Sequence, residues 1–82
     1  MKFEKIYMQS GTNKKADNTD YVDYYKAENG MIIQPIEFLN SSAKFYKVFD
    51  NIDERNIHYP FGGSYHWCFQ TLRDAKDYVM AQ

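Results

Sequence analysis

With a single cysteine, Cys68, the chain can form no internal disulfide, so packing must hold it together. Only two histidines accompany that thiol, whereas structural zinc sites draw on several thiolates or on two to four well-spaced histidines. An excess of one charge is lacking as well. Ten Lys and Arg stand against eleven Asp and Glu, so no global field gathers phosphates or an anionic membrane surface. The opening MKFEKIYMQS is broken by Lys and Glu before it reaches the length of a signal-peptide core, and no later run approaches a membrane span. These absences predict a soluble, cytoplasmic protein in a compartment where a free thiol persists. Gly62-Gly63 lacks the Lys-Ser/Thr sequel of a phosphate-binding loop, and Asp17, Asp20 and Asp23 do not follow the calcium-loop pattern.

What is present is aromatic. Eight Tyr, six Phe and one Trp in 82 residues provide enough apolar surface to offset the ordering entropy of one small domain, though little room for a deep cleft. Lys, Asn, Ile, Tyr, Phe and Met are abundant while Gly, Ala, Arg and Pro are scarce, as AT-rich codon usage produces. That bias points to an AT-rich bacterium, its phages or its mobile elements, and so to a small accessory protein.

The mixed aromatic and β-branched residues of 2–9 predict a strand. Residues 10–20, SGTNKKADNTD, have no large apolar side chain and read as a mobile loop. Asn29-Gly30 separates two further candidate strands, 21–27 and 31–38, and is the signature of a two-residue type I′ turn. A short helix over 21–29, capped by Asp20, is the rival reading. Pro35 removes a ladder donor and predicts an edge position or a bulge. In SSAKFYKVFDNIDER, Phe45, Val48, Phe49 and Ile52 fit a helix behind a serine cap, yet KFYKVF also fits a strand followed by a polar turn. Its aromatic content favours the strand. At the C-terminal end, Thr71 is a good N-cap with Asp74 three residues later, and Leu72, Ala75 and Val79 form a stripe bordered by Tyr78, which predicts a helix over 72–81. The expected fold is α+β: an antiparallel sheet of four or five strands with that helix on one face.

The stretch HYPFGGSYHWC gathers both histidines and the cysteine. Read as two strands around Gly62-Gly63, a two-residue turn separates His58 from His66, while a three-residue turn brings His58, His66 and Cys68 together. Three ligands fall short of a structural zinc site, and a Cys68/His66 nucleophile has no third residue to orient it. Cys68 is therefore expected to be a small buried hydrophobe, with neither metal nor cofactor bound. Tyr59, Phe61, Tyr65 and His66 at the hairpin tip are expected to form a partner-binding surface, because large rings beside two turn glycines are hard to bury.

Phe69 to Tyr78, F-x-T and then a helix with an early Ala, resembles the final strand and helix of the arm-type DNA-binding modules that open phage and transposon integrases. The resemblance implies a three-stranded sheet with basic, DNA-facing strands. Here the strand residues are Tyr, His, Trp and Phe, so the sequence departs from those modules where DNA is held. The expected function is instead non-enzymatic: an accessory protein, encoded by a phage or mobile element, that binds and inhibits or adjusts a larger protein, including one of host defence. A homodimer is a further arrangement. The first alternative is a nucleic-acid module using aromatic stacking with Lys44, Lys47, Arg73 and Lys76. The second is a metal- or thiol-dependent enzyme built on His66 and Cys68.

Overall fold

The structure, a computed structural model, describes residues 1–18, 21–37, 44–58 and 67–82. Five strands follow one another in space as they do in sequence: β1 (Phe3–Tyr7), β2 (Val22–Ala27), β3 (Ile32–Glu37), β4 (Lys44–Phe49) and β5 (Trp67–Phe69). Every neighbouring pair is antiparallel. Helix α1 (Ile52–His58) follows β4, and helix α2 (Leu72–Met80) follows β5. The expected α+β architecture is present, with five strands. Among the described residues no helix is long and apolar enough to cross a membrane.

The β2–β3 connection forms at Asn29-Gly30, but it is not the expected two-residue turn. Ala27 and Met31 close the hairpin (Ala27 N–H to Met31 O, 2.9 Å), and Gly30 N–H donates to Ala27 O at 3.0 Å, leaving Glu28, Asn29 and Gly30 in the loop. Only Gly30 takes a positive φ, +91°. A type I′ turn needs φ > 0 at Asn29 too, which costs a residue with a Cβ about 1–2 kcal/mol. The longer loop confines that conformation to glycine. It also frees the Asn29 side chain to accept from Met31 N–H at 3.0 Å and to donate to Val79 O at 3.4 Å, tying the loop to the end of α2.

The segment DNIDERN, expected as a polar turn, begins α1. Asn51 Oδ1 accepts from Glu54 N–H at 2.9 Å, and Asp53 and Glu54 lie in the first turn, where their charge favours the helix. Because α1 runs to His58, that residue belongs to a helix and not to the first strand of the expected hairpin. β5 pairs with β4 instead, Val48 opposite Trp67 and Lys47 opposite Cys68. Cys68 is exposed rather than buried, since alternation along β5 turns it away from the face where Phe69 packs.

That packed face holds the main core. Ala75 and Val79 of α2, both fully buried, meet Ala27, Met31, Ile33 and Val48, with Leu72, Tyr78 and Phe69 around them. Thr71 caps the helix through its Oγ1, which accepts from Asp74 N–H at 3.1 Å. The opposite face is buried as well at Ile6, Ile32 and Phe49. The central strand therefore reads as a continuous run, Met31 to Gln34, rather than as an alternating one.

Pro35 lies in this central strand, at a point where the strand is paired with β4 alone, so it occupies a local edge as its missing donor requires. It is tolerated because the sheet divides just before it. β2 and β3 pair only at Lys26–Ile32 and Tyr25–Ile33, whereas β3 and β4 stay paired to Glu37–Lys44. Past Ile33 no β2 ladder remains for the missing donor to interrupt. The divergence coincides with a bulge in β2, where Ile6 faces Tyr24, Tyr7 faces Val22, and Asp23 is the extra residue.

Candidate binding groove

Because β2 leaves β3, the α2 side of the sheet has two unlike halves. The half near the β2–β3 loop is covered by α2. The other half lies past Tyr25 and Ile33, and no element among the described residues covers it. A groove of about 520 Å³ occupies it, a volume typical of binding clefts.

Strand alternation chooses its lining. Lys5 and Tyr7 stand on this face of β1, Tyr25 on β2, and Pro35 and Glu37 on β3 beside Lys44 of β4. Past the bulge Val22 joins the floor, and Tyr21, 74% exposed, stands at the rim. The ladder continues one step beyond β1, with Met8 N–H donating to Tyr21 O at 2.8 Å. The loop that follows carries Lys15 over the ring of Tyr7, its Nζ 6.0 Å from the centroid. Side chains knit the start of that loop: Ser10 Oγ donates to Lys14 O at 2.5 Å, and Thr12 Oγ1 accepts from Lys14 N–H at 3.2 Å.

Positive charge therefore gathers here although the chain as a whole carries −1. Three lysines and one carboxylate line the groove, and that carboxylate, Glu37, pairs with Lys44 at 3.4 Å. Neither Lys5 nor Lys15 forms an ion pair with a described residue. Lys76 of α2 lies over Tyr25, a lining residue, its Nζ 5.6 Å from that ring's centroid and 5.2 Å from that of Phe3. Burial pushes the Tyr25 phenol above its ordinary value, reinforced by neighbouring Tyr46 and Tyr7 against the opposing pull of Lys44.

On the reverse face, Arg55 of α1 spans the divided strands. Its Nη1 donates to Asp23 Oδ1 and to Gln34 Oε1, each at 2.7 Å, and its Nη2 donates to Asp23 Oδ2 at 3.1 Å. The guanidinium also lies 5.0 Å from the Tyr24 ring. Arg55 and Gln34 are buried, 9% and 1% exposed, and this network supplies the partners their burial demands.

The sequence-derived sites fare differently. The tip residues Tyr59, Phe61, Tyr65 and His66 lie outside the described residues, as does the surface expected from them. Lys44 and Lys47, grouped in the nucleic-acid alternative, lie three positions apart on β4 and so point to opposite faces of the sheet, with only Lys44 in the groove. Among the described residues no cluster of three or more His, Cys, Asp and Glu side chains is placed to hold a metal ion. The groove itself was missed. Its signal was the alternation of Lys5 and Tyr7, but the division of the sheet that opens it depends on a bulge. No protein-family model, no curated protein and no solved structure matches the chain.

Proposed function

We propose that this is a small non-enzymatic binding protein that docks a larger protein through the open half of its sheet. The observation that carries this reading is the groove's composition: Tyr7, Tyr21 and Tyr25 beside Pro35, on a face that α2 leaves bare. Tyrosine presents a rigid, amphipathic contact with little side-chain entropy to lose, which is why interfaces favour it. In the fuller form of the reading, docking inhibits or adjusts the partner, and the chain serves a phage or mobile element in the cytoplasm. AT-biased composition and an exposed thiol support that form.

A photo-crosslinking side chain at position 21, compared with one at exposed Lys26 on the opposite face, tests the placement in the cell that expresses the chain. A discrete adduct is expected from position 21 alone. The partner it identifies, once purified, should then lose most of its affinity, about 2 kcal/mol or more, for a Tyr7→Ala/Tyr21→Ala variant that still folds. Equal adducts from both faces, or unchanged affinity, would place the interface elsewhere.

A further inference from the structure

Resting on that reading, we infer that the groove takes an acidic polypeptide segment: carboxylates flanking an apolar or aromatic side chain. The inference comes from how the lysines are held. Lys5 and Lys15 have no carboxylate partner among the described residues, and Glu37 is already matched by Lys44. The surplus is positive in a chain whose formal charge is −1. Lys15 is also placed in advance, drawn onto the Tyr7 ring by the attraction of a cation for the ring's negative face, and Lys76 lies likewise over Tyr25 beside the groove. A carboxylate entering the groove meets in Lys15 an ammonium group already held toward it, so less side-chain entropy is lost there than at a free lysine. Between the lysines, Val22, Tyr25 and Pro35 form an apolar floor that suits one side chain flanked by the charges.

The same contacts argue against a nucleic-acid strand. Base stacking uses open ring faces, and in Tyr7 and Tyr25 one face of each is taken by a lysine. Glu37 in the wall opposes phosphates, and Lys47 points away from the groove. A carboxylated peptide tolerates both features, because its charges are fewer and can be spaced around Glu37.

The test uses the full chain, isotope-labelled, and three probes: a fluorescein-labelled peptide of about ten residues that alternates Glu with Leu and Phe, its twin with Gln for Glu, and a thymidine decamer. The Glu peptide should bind at least tenfold more tightly than the Gln twin, with amide shifts centred on Lys5, Val22 and Tyr25. A Lys5→Glu/Lys15→Glu variant, both positions being exposed, should lose that preference and gain one for a peptide with Lys in place of Glu. Equal binding of the Glu and Gln peptides at the groove overturns the acidic preference and leaves the docking surface standing. Tighter binding of the decamer at the groove overturns both readings. Failure of the Glu peptide to shift groove amides at millimolar concentration overturns the inference.

Discussion

Arg55 and Asp23, thirty-two residues apart in sequence, join helix α1 to the bulge of β2 through two hydrogen bonds of 2.7 and 3.1 Å. The pair stands where β2 and β3 have ceased to share a ladder, and Gln34 Oε1 at 2.7 Å from the same guanidinium completes the crossing. A side chain thus replaces the missing backbone bonds between the two strands. The opening of the groove on one face and the anchoring of α1 on the other have this single origin.

Removing one member of the crossing should be costly. Loss of one partner from a fully buried ion pair costs about 3–5 kcal/mol. A quarter of the Asp23 side chain reaches water, so about 2–4 kcal/mol is expected for Arg55→Ala or Asp23→Ala in urea unfolding. The double variant Arg55→Met/Asp23→Val, which leaves no unmatched charge, should recover part of that loss, the remainder being the buried Gln34 Oε1 that loses its donor. A double variant no more stable than either alanine variant would show that the pair contributes through its charges and not through the matching of two buried groups.

How much of this was readable beforehand depended on the range of the forces involved. The β4 strand, the C-terminal helix with its Thr71 cap and the β2–β3 reversal at Gly30 follow from local patterns, and all three are present. α1 also had a local signal that passed unread: Asn51 followed three residues later by Glu54, a variant of the Ser/Thr-x-x-Glu pattern that opens helices. Reading those residues as a turn misassigned His58 to a strand. Arg55 carried no signal at all, since a lone arginine in a polar segment is ordinarily a solvated surface charge. Its burial is imposed by Asp23 and Gln34, residues brought to it only by the folded sheet.

Gly30 offers a backbone test free of packing effects. A Cβ there would meet nothing within 4 Å, so the cost of Gly30→Ala comes from φ = +91° alone. About 1–2 kcal/mol of destabilisation is expected, and less for Gly30→Asn, which tolerates the left-handed region better. Equal stability of the alanine variant and the parent would mean that the loop relaxes into another turn, visible as loss of the Asn29–Met31 hydrogen bond in amide exchange.

Cys68 should react as a surface thiol. Exposed on a short edge strand, it should be alkylated by iodoacetamide in native buffer at a rate within a few fold of that in urea. Cys68→Ser should change stability by no more than about 0.5 kcal/mol, as surface substitutions do. Protection of the native thiol by a hundredfold or more would place it in the interior after all.

Tyr25 predicts a specific loss of stability in alkali. Burial is the largest cause raising its phenol above the ordinary value of about 10, with Tyr46 next, so the folded chain holds this proton more tightly than the unfolded chain does. The sign follows directly. Below about pH 10 both states are protonated and the contribution is complete; above it the unfolded state releases the proton first, and stability falls as pH rises toward the folded value. Tyr25→Phe has no proton to release. The variant should therefore lose less stability than the parent between pH 9 and about pH 11, measured as urea midpoints, and its tyrosinate absorbance should lack one phenol that titrates above the ordinary value in the parent. Parallel stability curves for the two proteins across that interval would show that Tyr25 ionises as freely in the folded chain as in the unfolded one, and that the groove floor is more open to water than its packing against Tyr46 and Lys76 implies.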